Sequence, residues 1–258
     1  MSDLLLRRAV YRQSEIHDFL KCGLKWEFKY VLKIKTAKRH SLTVGSAVDK
    51  SVTTNLIQKV KSATDLPLPE VLDVYSTEFE TLRPETDFQE EDPGEIKDVG
   101  AALITVHHRR LAPLLNPETV QEQFAIETDA GYDLTGTIDL IEKDQTVVDH
   151  KTSKNYYAEE AISKALQPAM YDYAYEALRG KKPKAFRFDV LKKPTKTKPA
   201  DIQQVTAEVT QGDREWLFQT VGNMHKAVKA GVALPAPEGA WWCSEKWCEY
   251  WHMCKGKK

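Results

Sequence analysis

The sequence predicts an α/β or α+β core carrying a helical insertion. Apolar residues recur at helical spacing over roughly the first 118 residues, broken by Pro and Gly, and the period then switches to β-rich runs divided by short turns. A helix, two further strands and a helix follow, before a tail rich in Cys and Trp. The 258 residues, 41% hydrophobic and without internal repeats, suit one large domain or two small ones and exclude disordered, collagenous and solenoid chains. No run approaches the roughly 20 apolar residues of a membrane span, and Arg7 and Arg8 interrupt the short apolar run at the start. Membrane insertion and secretion are not expected, and the expected location is cytoplasmic.

Ser14 is the expected N-cap of a first helical stretch, with Ile16, Phe19, Leu20, Trp26 and Tyr30 at roughly helical spacing and Gly23 as a break. A second helix is expected from about Gly45 into LIQKVKS. After Pro67 and Pro69 come an acidic helix over EVLDVYSTEFETL, a loop over QEEDPGE, and a helix over IKDVGAALITVHHRRLAPLL ending near Pro113. From 119 to 154 the chain reads as three consecutive antiparallel strands joined by DAG and EKDQ. In the next helix, about 158 to 179, Pro168 means either a kink or a restart with the proline in the first turn. AFRFDVL and IQQVTAEVT are strands split by the basic loop KKPTKTKP, and a last helix spans about 213 to 231.

The formal net charge of −1 hides strong segregation. Residues 1–61 and 179–198 each carry a net +8, whereas residues 65–98 carry −10. Two basic segments brought together could line a groove for a polyanion; for charge alone, a solvated surface is the preferred reading.

The sharpest chemical signal is Gly136-Thr-Ile-Asp139, a turn, then Val147-Val-Asp149-His150-Lys151. On adjacent antiparallel strands Asp139 and Asp149 share a face and a depth, and alternation puts Lys151 on that face too. Two carboxylates beside an ammonium form a hard-oxygen site for Mg2+ or Mn2+, with the lysine placed to orient or activate a water for attack on a phosphate. A lone D-x-K is common on exposed strands. Here Ile138, Leu140, Val147 and Val148 make the strands largely buried, where unpaired carboxylates are costly.

The order G-x-x-D, a turn, V-V-D-x-K-T, then Gln167-x-x-x-Tyr171 resembles the RecB-like branch of the PD-(D/E)XK nucleases. The resemblance implies a restriction-endonuclease-like core, a mixed central sheet flanked by helices, over residues 119–210, with residues 50–118 as the helical insertion. It implies that Asp139 and Asp149 bind the metal, that the His150 backbone carbonyl adds a ligand, and that Lys151 is the catalytic lysine. Gln167 and Tyr171, one helical turn apart, would contact DNA near the scissile phosphate; Tyr171 also fits a core stripe with Tyr173 and Tyr175. Where the family has G-x-x-x-H, this chain has Gly45-Ser-Ala-Val-Asp49. Asp49 either replaces the histidine as a ligand, favouring Mg2+, or marks reduced activity. Glu122 is a further acidic candidate, better read as a solvated strand residue. His107, His108, Arg109 and Arg110 fit phosphate contact or a helix surface. The basic segment following the Gln/Tyr helix would hold the DNA backbone through Lys192, Lys193, Lys196 and Lys198.

Cys22 stands alone, whereas Cys243, Cys248 and Cys254 form C-x4-C-x5-C near the end. Four thiolates suit a 4Fe-4S cluster or a structural zinc, and spacing does not separate them. Iron-sulfur members of the RecB-like group have one cysteine far upstream and three just after the core, and Cys22 within C-x3-W-x3-Y matches that layout. The resemblance thus implies a 4Fe-4S clasp joining residue 22 to residues 241–258, with Trp241, Trp242, Trp247 and Trp251 shielding it. Taken over the whole chain, the resemblance implies that residues 1–258 are one nuclease domain, expected to be a DNA exonuclease acting on single-stranded ends in repair, recombination or end processing, including in a bacteriophage. The alternatives are a catalytically weak DNA-binding or scaffold protein, suggested by Asp49, and a nuclease with zinc at the cysteines. Partner proteins and oligomeric state leave no trace in the sequence.

Overall fold

The computed structural model describes residues 8–158, 160 and 165–254. The readings that fall on residues 1–7, on 159 and 161–164 of the expected helix, and on 255–258 of the clasp lie outside these. The elements in chain order are β1 (Ala9–Arg12), α1 (Gln13–Lys21), α2 (Gly23–Trp26), β2 (Lys38–Arg39), α3 (His40–Ser62), α4 (Leu68–Leu82), β3 (Thr86–Asp87), α5 (Pro93–Val106), β4 (Pro117–Glu127), β5 (Tyr132–Glu142), β6 (Thr146–Ser153), α6 (Leu166–Arg179), β7 (Ala185–Lys192), β8 (Asp201–Ala207), α7 (Gln211–Lys229) and α8 (Trp251–Cys254). Among the described residues no helix is long and apolar enough to cross a membrane.

Several boundaries move from their expected places. The N-cap of α1 is Arg12, without a side-chain cap, so Ser14 lies inside the first turn. The helix expected from Gly45 begins at His40, again without a capping side chain to announce it. Pro93 and Gly94 open α5 instead of closing a loop, because the Asp92 carboxylate caps the Glu95 N–H at 2.9 Å. Pro168 sits in the first turn of α6, where its missing N–H costs nothing, so the helix restarts there. The chain breaks between α1 and α2 at Cys22, next to the expected Gly23.

The chain gathers into two compact units. The larger comprises Lys38–Gln123 and Thr137–Asp213. In it β5 and β6 are antiparallel, β6 and β7 parallel, and β7 and β8 antiparallel, a mixed sheet. Leu140, Val148 and Leu191 on one face of that sheet pack into a single core with Val48 and Val52 of α3, Tyr75 of α4 and Leu103 of α5. Alternation sends Phe186, Phe188 and Val190 to the other face, where Phe186 meets Tyr171 of α6 with ring centroids 6.2 Å apart. Arg187 ties the far end of the sheet together, donating to Glu142 at 2.7 Å and to both oxygens of Asp189.

The smaller unit comprises Met1–Ala37, Phe124–Gly136 and Arg214–Lys258. Its first strand, β1, was not expected from sequence; it lies parallel to the start of β5, with Ala9 opposite Tyr132. Tyr11, Tyr132 and His225 of α7 pack ring to ring, and the Tyr11 hydroxyl lies 3.0 Å from His225 Nδ1. The C-terminal segment lies on the N-terminal helices: the Leu24 N–H donates to the Leu234 carbonyl, and the Tyr250 hydroxyl to the Ile34 carbonyl at 3.0 Å.

Helices α4 and α5 approach each other at Gly100, where a Cβ would fall 2.0 Å from the buried Tyr75 hydroxyl, itself bonded to the Lys97 carbonyl. We expect Gly100→Ala to lower stability by about 1–3 kcal/mol despite alanine's better helix propensity, because Tyr75 has no room to retreat. Urea denaturation monitored by circular dichroism reads this directly.

Candidate active site

The turn between β5 and β6 sets the site. The Gln145 N–H returns to the Glu142 carbonyl at 2.8 Å, the Thr146 N–H bonds the Asp144 carboxylate, and Gln145 takes a left-handed φ of 74°. Leu140 then pairs with Val148, and the next step of the ladder puts Asp139 opposite Asp149. The His150 N–H donates to Asp139 Oδ2 at 3.1 Å, as that register requires. Upstream in the smaller unit, Gly136 of the G-x-x-D stretch is obligatory for a different reason, since a Cβ there would meet the Phe124 ring at 2.7 Å.

Asp149 is 2% exposed. Its Oδ1 accepts from Gln167 Nε2 at 2.5 Å, and its Oδ2 lies 2.6 Å from Lys151 Nζ. Gln167 also donates to the Tyr171 hydroxyl at 3.2 Å, and Tyr171 donates to the Thr137 carbonyl at 2.7 Å. Gln167 and Tyr171 are themselves 7% and 6% exposed. As placed, they bond Asp149 and each other, with little side-chain surface exposed. Lys151 Nζ also stands 5.6 Å from the centre of the Phe188 ring.

The charges explain what this arrangement is for. Burial pushes the Asp139 carboxyl well up, and the charges of Asp149 and Asp49 push it further, with the His150 N–H opposing. Asp149 is raised by burial, against Lys151, His150 and Gln167. Asp49, from the middle of α3, is raised by burial and by Asp149, with His150 and Lys151 opposing. Burial works to lower Lys151, yet the Asp149 carboxylate, reinforced by Asp139, raises it overall. Lys151 is thus a held ammonium and not a base. Lys151 is the ammonium that faces all three inward carboxylates, and together with His150 it offsets the cost of burying them only in part.

That surplus of carboxylate oxygen fits a hard divalent cation in donor chemistry. Among the described residues, however, no three His, Cys, Asp or Glu side chains stand close enough to hold a metal ion as placed. The Asp149 oxygens face Gln167 and Lys151, and Asp139 faces a backbone N–H. A cavity of about 440 Å³ opens beside them, lined by Asp49, His150, Lys151 and Lys193, with Gly45 and Thr152.

The other expected residues divide. Lys193 reaches the cavity, and Lys196 and Lys198 are exposed on the following loop. Lys192 does not join them: it is 9% exposed, with Nζ 5.0 Å from the centre of the Tyr156 ring, because strand alternation turns it inward. Glu122 pairs with Arg179 at 2.6 Å and Thr119 at 2.7 Å, away from the carboxylate cluster. His107 is buried edge-on against His150 at 5.6 Å, His108 bonds the Leu66 carbonyl and Arg110 pairs with Asp201, so of that group Arg109 and Arg110 alone are exposed. Tyr157 was not expected at the site; its ring stacks edge-on against Phe188 and is close enough to Lys151 and Asp149 to feel both charges.

In the smaller unit all four cysteines are free and line one small cavity, with Phe28, Tyr250 and Trp251. Cys22 Sγ accepts the Lys25 N–H at 3.4 Å, and burial raises the Cys248 thiol. Trp241 and Trp247 are 64% and 50% exposed and pack edge-on with each other at 5.4 Å. With Trp242 they line a cavity together with Cys22, Cys243 and Cys248, so one side of each faces the thiols and the other faces solvent.

The model of the PD-(D/E)XK nuclease superfamily matches residues 13–255, nearly the whole chain. The chain belongs to this superfamily. Among solved structures, this nuclease is similar to one from Eubacterium rectale described as "Putative exonuclease", with a TM-score of 0.60, 16% identity and coverage of 94% of this chain and 89% of that one. The protein SSO0001 aligns at a TM-score of 0.42 and 14% identity over 98% of this chain and 88% of that one. No curated protein matches the chain. At these identities the likeness is one of fold.

Because the folded state raises the Asp139 pKa above its ordinary 3.8, the folded protein holds that proton more tightly than the unfolded chain. Stability is therefore lost as pH rises from about 3.8 through the folded value. In metal-free buffer we expect Asp139→Asn, which keeps an acceptor for the His150 N–H, to raise Tm at pH 7 to 8 and to match the wild type near pH 3.5. Roughly 2–4 °C accompanies each kcal/mol relieved. Equal melting temperatures at pH 8 by scanning calorimetry would contradict this reading.

Proposed function

We propose that this nuclease hydrolyses DNA phosphodiesters with one or two Mg2+ or Mn2+ ions, as an exonuclease on single-stranded ends. The observation that carries the proposal is the convergence of Asp139, Asp149 and Lys151 beside a cavity whose nearest carboxylates all lack sufficient counter-charge. Asp139 and Asp149, with Asp49 and the His150 carbonyl, are the groups that would hold the ion. When bound, the ion polarises the phosphodiester and acidifies its water.

The chain's own groups do the rest. Lys151, kept protonated by Asp149, offers its ammonium to the attacking water or to a phosphate oxygen and stabilises the charge that develops there. Gln167 fixes one Asp149 oxygen so that the other stays with Lys151, and Tyr171, anchored on the Thr137 carbonyl, holds Gln167 in place. These two are positioning residues. Lys193 at the cavity, with Lys196 and Lys198 on the loop, meets the DNA backbone and gives binding a salt-dependent component. Repair, recombination or end processing in the cytoplasm, in a cell or a bacteriophage, is the setting that suits this chemistry.

A 4Fe-4S cluster on Cys22, Cys243, Cys248 and Cys254 completes the proposal. What favours it is four free thiols on one cavity, one of them already receiving an N–H···S bond of the kind that tunes such clusters. Bound there, the cluster tethers the N-terminal helices to the C-terminal tail and adds stability that depends on the metal.

End-labelled single- and double-stranded DNA should be cut by anaerobically purified protein with Mg2+ or Mn2+. We expect Lys151→Ala to lower kcat by about 10²–10³ and Asp149→Ala to abolish cleavage. Binding without cleavage under every metal would instead make Asp49 the mark of a disabled site and the protein a DNA-holding scaffold. The same preparation should be brown, with broad visible absorption that Cys248→Ala removes; stoichiometric zinc without iron would replace the cluster by a structural zinc.

A further inference from the structure

Within the larger unit a second cavity, of about 400 Å³, adjoins the catalytic one, and Lys193 lines both. One wall is apolar: Val44 of α3, Ile96 and Val99 of α5, and Pro194. The other is cationic, formed by Lys154 and Lys193, with Asn155, Thr195, His40 and Glu91 completing the lining. Glu91 contacts His40 at 3.8 Å, and neither lysine forms an ion pair among the described residues. Burial and the neighbouring Lys154 push the Lys193 ammonium down and burial likewise lowers His40, with Glu91 opposing in both cases. Two unpaired cations therefore flank a recess whose opposite wall is hydrocarbon.

A free phosphate would use the cations and leave the apolar wall bare; an apolar ligand would do the reverse. A nucleotide uses both walls, and the volume lies within the roughly 300–1,000 Å³ of small-molecule sites. Position supplies the rest. Lys151 and Lys154 are three residues apart on one stretch of chain, on the order of 10 Å, a distance a nucleotide or two bridges.

We propose that this cavity receives the nucleotide adjoining the scissile phosphate, its phosphate between Lys154 and Lys193 and its base against Val44, Ile96, Val99 and Pro194. The proposal rests on the nuclease reading above and specifies its substrate. A base paired and stacked in a duplex does not reach such a recess without being unstacked, whereas an unpaired base enters freely, so the cavity selects single strands.

The test is an abasic scan of a short fluorescent single-stranded oligonucleotide against the full-length protein. It is read by anisotropy without divalent metal and, separately, by cleavage with Mg2+ or Mn2+. We expect one position where loss of the base weakens binding and raises KM by about tenfold, within the range of base stacking on a protein surface. Val99→Trp, which fills the recess, and Lys154→Ala should each bring a comparable loss with intact DNA. In Val99→Trp the abasic position should then cost nothing more. Val99→Phe serves if a melting curve shows that the Trp variant does not fold. A scan without a sensitive position overturns the proposal, as does a loss confined to Lys154→Ala, which would mean a backbone contact alone. Should no metal support cleavage, the nuclease reading fails while the anisotropy scan still decides whether a base enters the cavity.

Discussion

Three carboxylates turned inward against one ammonium is the constraint around which the larger unit is organised. Burial raises the proton affinity of Asp49, Asp139 and Asp149 alike, Asp149 raises that of Asp49 and Asp139 further, Asp49 adds to that of Asp139, and Lys151 balances only part of their charge. A fold tolerates such a cluster only if its groups are pinned from outside. The sheet pins Asp139 through the His150 N–H, while α6 pins Asp149 through Gln167, itself braced by Tyr171 on the Thr137 carbonyl. The same residues that look like a reactive centre are thus the costliest part of the unit to keep folded, a common trade between function and stability. On the opposite sheet face, Leu140, Val148 and Leu191 pack against α3, α4 and α5 and supply the burial that offsets that cost.

How much of this was legible in the sequence depended on whether the signal was local. The three strands from 117 to 153 were, because β-rich runs and short turns leave a pattern within a dozen residues, and the pairing of Asp139 with Asp149 followed from the turn between them. Helix starts were not, because Arg12 and Arg39 stand at N-cap positions without capping side chains. β1 was invisible since its partner lies more than a hundred residues away in β5, and four residues carry no period of their own. Lys192 was misread for a plainer reason. It was grouped with the basic loop, although counting by twos along β7 from Phe186, Phe188 and Val190 puts it on the buried side. The family pattern found Gln167 and Tyr171, and the geometry adds the chain of bonds that runs from Tyr171 through Gln167 to Asp149.

The smaller unit is built on a different logic. Its core is aromatic, with Tyr11, Tyr132 and His225 in mutual contact, and its N- and C-terminal segments are joined by scattered polar bonds such as that from Tyr250 to the Ile34 carbonyl. Asp18 gathers Lys29 at 2.7 Å and Tyr30 at 3.1 Å, a single acid organising the turn after α2. In the C-terminal segment Tyr250 is buried, while Trp241 and Trp247 keep large exposed faces. The four free thiols line one small cavity between the N- and C-terminal segments, with Phe28, Tyr250 and Trp251.

The tight return from Glu142 to Thr146 has an evolutionary corollary. Its ends, Glu142 and Thr146, are buried, but Lys143 and Asp144 between them face solvent, and the turn asks only for a carboxylate to cap Thr146 and a residue at position 145 that accepts a left-handed backbone. Its length is not free. Adding or losing one residue would rotate every side chain of β6 to the opposite face, exchanging Asp149 and Lys151 for Val148 and His150. Drift in this loop can rewrite its composition, but a change in its length survives only in even steps or with a bulge that restores phase, so the spacing between the two aspartates should persist among descendants longer than the letters that separate them.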